Sequence, residues 1–182
     1  MAQKNSKQLE KLCNWPQHKH PNFKGNNKPK ANQSLVYLKQ LSEMLVKIED
    51  EQGKVTITYG FTSHDLLCYL NKHSPGDMGP TLDQHASSEL NSRGNRICKR
   101  EGASCDILVE GFESKMDEIA RFITENLNYD RLYFYGKNKP LHISIGPEQA
   151  KYALIRNTRS DGRRVNGKSA IGEATRDLFD NV

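Results

Sequence analysis

Two short apolar runs, each with one ionisable residue in its middle, constrain the fold of this chain most. Ala103–Val109 (ASCDILV) contains Asp106, and Leu141–Ile145 (LHISI) contains His142. Both runs have the length and composition of strands. An ionisable side chain in a buried strand is costly unless it is hydrogen-bonded, paired or bound to a metal. Each residue alone also fits a simpler interpretation, a hydrogen-bonded structural histidine and an aspartate that faces solvent.

Hydrophobic periodicity predicts the elements around these two runs. Apolar residues near a 3.6-residue period indicate helices, polar and apolar alternation indicates strands, and Ser63 is a candidate N-cap. The predicted elements are helices over 34–49, about 63–72 and 114–126, and strands over 54–60, 103–109, 131–135 and 141–145. Strands 131–135 and 141–145 should form a hairpin. This order predicts an α+β domain over residues 33–155, with an antiparallel-rich sheet flanked by helices.

The two ends of the chain are polar and basic. The mean hydropathy of −0.79 and the apolar fraction of 35% indicate polar tails around a smaller ordered body. Residues 1–32 are therefore expected to be a flexible basic N-terminal arm, which Trp15 and Phe23 could anchor, and residues 156–182 a basic C-terminal tail. Such tails make nucleic acid or another polyanion a candidate partner. The alternative is that they are simply solvated.

Several classes of protein are disfavoured. No apolar run resembles a signal peptide or reaches 18 residues, so we expect a cytoplasmic protein that does not enter a membrane. Four irregularly spaced cysteines without a C-x-x-C pair are expected to be reduced thiols. The chain has no phosphate-binding glycine loop and no dinucleotide fingerprint, so an enzyme driven by a nucleotide is not expected.

The long segment 74–103 carries further candidate site residues. His85 is a third candidate metal ligand, because catalytic zinc sites take three protein ligands and leave one position open. Glu89 lies four residues later and would share a helical face with His85, so it is a candidate general base. Its alternative role is a surface charge. The candidate groups for binding a substrate carboxylate or phosphate are Arg93, Arg96 and Arg100, which could equally be solvated.

A family resemblance joins these residues. The ordered series Ile57–Ser63 (ITYGFTS), His85, Gly102–Asp106 (GASCD) and Leu141–Ser144 (LHIS) resembles the zinc D,D-carboxypeptidases and their relatives with the hedgehog/D,D-peptidase fold. It covers about residues 54–147. In that family two histidines and one aspartate bind zinc, which implies that His85, Asp106 and His142 are the ligands here.

The sequence also departs from the family pattern. Twenty residues separate His85 from Asp106, a longer interval than in the family, and Asp83 stands where the family has serine. The family's catalytic glutamate precedes the last histidine, but the stretch 133–141 contains no carboxylate. Glu89 is the candidate replacement.

Two functions follow as hypotheses. The first is a zinc-dependent hydrolase of D,D-carboxypeptidase-like type that cleaves a peptide-like substrate with zinc-activated water. The second is a catalytically inactive, zinc-containing module that binds nucleic acid or another polyanion. Zinc content and turnover of a peptide panel would separate them.

Overall fold

The computed structural model describes residues 2–76, 83–180 and 182. The helices are α1 (Ala2–Asn14), α2 (Pro16–Lys19), α3 (Asn32–Gln52), α4 (His64–His73) and α5 (Met116–Asn126). The strands are β1 (Val55–Tyr59), β2 (Ala103–Val109), β3 (Arg131–Phe134), β4 (Leu141–Ile145), β5 (Tyr152–Thr158) and β6 (Arg164–Ile171). Two 3-10 helices, Gly172–Thr175 and Asp177–Phe179, follow β6.

The elements predicted between residues 34 and 145 are confirmed. Helices α3, α4 and α5 and strands β1 to β4 occupy the predicted segments, with small shifts at their ends. Ser63 is the N-cap of α4, since its hydroxyl accepts a hydrogen bond from the Leu66 N–H at 3.2 Å. Residues 77–82 of the long segment before β2 lie outside the described residues.

All six strands form one mixed sheet in the order β1-β2-β4-β3-β5-β6. Four pairings are antiparallel, and β3 pairs with β5 in parallel. The predicted α+β class is thereby confirmed, with a six-stranded sheet flanked by helices. The parallel pair requires a crossover connection, which here runs through β4.

The apolar core lies where helices cover the sheet. Leu38, Leu41, Leu45 and Ile48 recur at helical spacing on α3, and all are essentially inaccessible to solvent. They share one hydrophobic cluster with apolar residues of β2, β4 and α5. Burying a large aliphatic side chain contributes about 1.5–3 kcal/mol, so this stripe fixes α3 against the sheet.

The N-terminal segment departs from the predicted flexible arm. Leu12 on α1 is fully buried, and the Gln8 side chain donates a hydrogen bond to Glu49 of α3 at 2.7 Å. The Trp15 indole N–H donates to the Phe61 carbonyl at 2.8 Å. The buried residues of α1 are Gln8 and Leu12, and the segment as a whole is polar, so its composition resembles that of an exposed arm.

The C-terminal segment departs from the predicted tail. Strand β5 continues the sheet beside β3, and β6 pairs with β5. Phe179 is fully buried, with its ring 5.6 Å from that of Phe134. Every residue of β6 is exposed or half-buried, so the strand has the composition of a polar tail.

Two further predictions concern composition. All four cysteines are free thiols, in agreement with the sequence. Within the described residues, no helix combines the length and the apolar character needed to cross a membrane.

Candidate metal centre

The sheet places two predicted ligands, Asp106 and His142, in one row with a tyrosine on each side. Tyr59 of β1 is paired with Asp106 of β2, Asp106 with His142 of β4, and His142 with Tyr133 of β3. Directly opposite residues on paired strands project to the same face. Cys105 projects to the other face and is buried in the hydrophobic core. The ionisable residues of the two apolar strands therefore meet on the face opposite that core.

His85 reaches this row from the segment before β2. Its backbone carbonyl accepts the Thr62 N–H at 3.0 Å, and its Nδ1 lies 3.1 Å from the Gly60 carbonyl oxygen. Because a carbonyl can only accept, Nδ1 carries the proton of this hydrogen bond. The other ring nitrogen, Nε2, lies 3.6 Å from Asp106 Oδ1 and 3.8 Å from Asp83 Oδ2.

His142 is held from both sides. Its Nδ1 lies 2.8 Å from Asp106 Oδ1, and its ring stacks on Tyr133 with centroids 4.8 Å apart and planes 12° apart. Its side chain is almost fully buried, and its Nε2 has no hydrogen-bond partner among the described residues. The rings of His85 and His142 meet edge to face at 5.0 Å.

Asp83 completes a group that could hold a metal ion. One ligand atom from each of Asp83, His85 and His142 lies within 4.8 Å of the other two. Asp106 adds a second carboxylate in contact with both imidazoles. Imidazole nitrogen and carboxylate oxygen are common zinc ligands, but they also suit other divalent transition metals.

The electrostatics of the centre favour a bound cation. Burial acts to lower the pKa of His85, but the charges of Asp83 and Asp106 outweigh it and raise this pKa to about 9. Burial acts to raise the pKa of Asp106, yet hydrogen bonds and charge from His142 and His85 hold it well below its usual value. Asp106 thus remains charged and stabilises positive charge in the centre.

The centre opens into a cavity of about 690 Å³. Asp83, Asp106, His85 and His142 all line it. This volume falls within the range of small-molecule sites in proteins. A molecule that enters the cavity can therefore reach the candidate ligands.

The structure brings the three predicted ligands His85, Asp106 and His142 together. It gives the predicted base, Glu89, a different role. Glu89 is buried, and its Oε1 accepts hydrogen bonds from the backbone N–H groups of Lys30 and Ala31, both at 3.0 Å. It is not among the residues that line the cavity. Asp83 is the carboxylate that lies beside His85 instead.

The three arginines predicted to bind substrate also lie outside the cavity lining. Arg93 is exposed, and Arg96 pairs with Glu101 and donates to the Arg100 carbonyl at 3.2 Å. The positive charge of Arg100 acts on the Tyr133 phenol. The cationic residues of the lining are Lys19, Arg156 and Arg164. Arg156 and Arg164 come from the segment predicted to be a tail. They are far from the candidate ligands in the sequence, so the sequence did not indicate that they line the cavity.

Comparisons with family models, curated proteins and solved structures give no match to this chain. The assignment of a function therefore depends on the site itself.

Proposed function

We propose that the protein is a zinc-dependent hydrolase that cleaves an amide bond of a peptide-like substrate. The observation that carries this proposal is the convergence of two imidazoles and two carboxylates in one cavity. Three of these residues, His85, Asp106 and His142, carry the resemblance to the zinc D,D-carboxypeptidases, so we further propose a fold of the hedgehog/D,D-peptidase type. The location of the protein is proposed to be cytoplasmic.

The donor set fits zinc. His85 offers Nε2, because Nδ1 is engaged with the Gly60 carbonyl, and such a second hydrogen bond commonly orients a ligating histidine. His142 and Asp106 complete three ligands in the proposed centre. A zinc ion held there would polarise a carbonyl group and lower the pKa of a water molecule to about 7.

Asp83 is proposed as the general base. Its carboxylate lies 3.8 Å from His85 Nε2, and about a third of its side chain is exposed, at 29%, so it can contact both ligand and solvent. It would accept a proton from the attacking water and return it to the leaving amine. This assignment replaces Glu89, whose carboxylate is occupied by backbone N–H groups.

A second arrangement uses the same four residues. Asp83 could ligate the metal with His85 and His142, as their mutual distances allow. Asp106 would then orient His142 through Nδ1, leaving the buried Nε2 to face the metal. The two arrangements differ in which aspartate is a ligand.

Paired substitutions test the proposal and decide between the arrangements. If Asp106 is the ligand, Asp106→Asn loses zinc on gel filtration, while Asp83→Asn keeps zinc and loses turnover by about 100-fold or more on a peptide panel. The reverse pattern of zinc loss establishes the second arrangement. Asp65→Asn, which alters an exposed carboxylate on α4, is the matched control. Full zinc retention in His85→Ala and His142→Ala would refute the centre.

The second candidate function is a binding module for a polyanion. It is favoured by the β5–β6 hairpin, which carries five basic residues, Arg156, Arg159, Arg163, Arg164 and Lys168. A zinc-loaded protein that cleaves no peptide and binds nucleic acid with strong salt dependence would support this module over the hydrolase.

A further inference from the structure

Part of the lining of the cavity beside the metal centre is cationic. Arg156 on β5 and Arg164 on β6 both contribute to it, together with Lys19 at the end of α2. None of these residues belongs to the segments that supply the candidate ligands. The hairpin thus adds positive charge to a cavity that already contains two carboxylates.

Arg156 has unused hydrogen-bonding capacity. One Nη1 bond goes to Asn166 Oδ1 at 2.7 Å, whereas its Nε is buried and has no partner among the described residues. No carboxylate within the described part of the chain pairs with Arg156 or Arg164. By contrast, Arg121 and Arg131 each pair with an acidic side chain. Arg156 is half-buried, and a half-buried guanidinium without a counter-charge is costly, so an anionic ligand would remove that cost. Arg164 is exposed and can reach the same ligand from β6.

Arg164 is oriented by an aromatic side chain of the same cavity. Its guanidinium carbon lies 4.5 Å from the ring centroid of Tyr135, a distance at which the π-face holds a cation. Burial raises the pKa of the Tyr135 phenol, and the charge of Asp106 raises it further while that of Arg164 lowers it. One phenol therefore lies within electrostatic range of both the metal centre and the hairpin arginine.

We propose that Arg156 and Arg164 form a subsite for an oxyanion, a carboxylate or a phosphate, on the molecule that occupies the cavity. Guanidinium groups bind both anions through paired N–H donors. The two aspartates of the metal centre repel an anion, so the charged end of the ligand lies at the hairpin and its reacting group lies near the histidines. The reaction itself depends on the proposed hydrolase function, but the anion binding does not.

The test is a titration of acetate and of methyl phosphate into the metal-free full-length chain, followed by amide chemical shifts. At least one probe should saturate, with shifts in β5 and β6, and the tighter probe identifies the anion class. Arg156→Gln and Arg164→Gln should each weaken binding about tenfold or more, and Arg156→Lys less, because it keeps the charge but loses the paired donors. Arg93→Gln, outside the cavity, should bind as the parent does.

Other outcomes overturn the proposal. They are no saturation with either probe, parent-like binding in both hairpin glutamine variants, or equal weakening in Arg93→Gln, which would indicate attraction by overall charge. Binding of a single-stranded oligonucleotide alone, weakened equally by Arg93→Gln and Arg156→Gln, would instead indicate an extended polyanion surface. Zinc content of each hairpin variant is measured in parallel. A chain that binds an anion but cleaves no peptide would refute the hydrolase and leave the subsite intact.

Discussion

Replacing Glu89 separates a structural role from a catalytic one. Its Oε1 accepts two backbone N–H groups, those of Lys30 and Ala31, which directly precede α3. A hydrogen bond to a charged group contributes about 1.5–3 kcal/mol to stability, and the two bonds here share one acceptor atom on a buried side chain. Glu89→Ala should therefore lower the free energy of unfolding by about 2–4 kcal/mol.

In urea this loss corresponds to a midpoint shift of about 1–2 M. Glu89→Gln keeps a carbonyl oxygen that can accept both bonds, so it should lose less than half as much stability and retain parent-like turnover. Glu43→Ala, at an exposed position on α3, is the control and should change stability by at most about 0.5 kcal/mol. A large loss of turnover in a fully stable Glu89→Gln would refute this reasoning and restore Glu89 as the base.

Three other perturbations follow from the structure. In the metal-free protein the pKa of His85 is raised from 6.5 to about 9, so its stabilising contribution is fully present below pH 6.5 and is lost as the pH rises through about 9. Thermal unfolding of the metal-free parent and of His85→Gln should converge over that window; a constant difference would contradict it. Phe179→Ala should cost about 3–5 kcal/mol in urea unfolding, because the ring is fully buried. A change within about 0.5 kcal/mol would mean that the C-terminal segment does not pack. Gly60→Ala would place a Cβ 2.5 Å from the Leu12 carbonyl oxygen, so the backbone at residue 60 should shift. The carbonyl of residue 60 itself orients His85, so the variant should bind zinc more weakly in a competition titration. Parent-like zinc affinity would show that this orientation is not needed.

The central elements could be predicted because their patterns agree with their burial. On α3 the apolar residues recur at helical spacing and face the sheet, and β2 combines an apolar run with one ionisable residue on the cavity face. Asp106 and His142 stood out as polar residues in apolar strands. Their direct pairing across β2 and β4 is what turns that sequence signal into a site.

The ends of the chain could not be predicted from the same signals. Strand β6 lies at the sheet edge with little burial, so its residues have no need to be apolar. Phe179 buries a single aromatic side chain in an otherwise polar segment, and one residue produces no periodicity. Trp15 is different, because its role as an anchor of the N-terminal segment was predicted from the sequence. The position of Asp83 beside His85 and the arrival of Arg156 at the cavity depend on long-range packing. Neither has a local pattern.

The cavity is assembled from segments that are far apart in the chain, and this has a consequence for folding kinetics. The metal-centre pair forms between β2 and β4, whereas Arg156 and Arg164 lie on β5 and β6, which pair with each other. Contacts that close long loops tend to form slowly, and the Asp106–His142 pair joins residues 36 positions apart, whereas β5 and β6 form a local hairpin. During refolding from urea, anion affinity at the hairpin should therefore recover no later than zinc affinity, with the metal centre as the last part of the cavity to become competent.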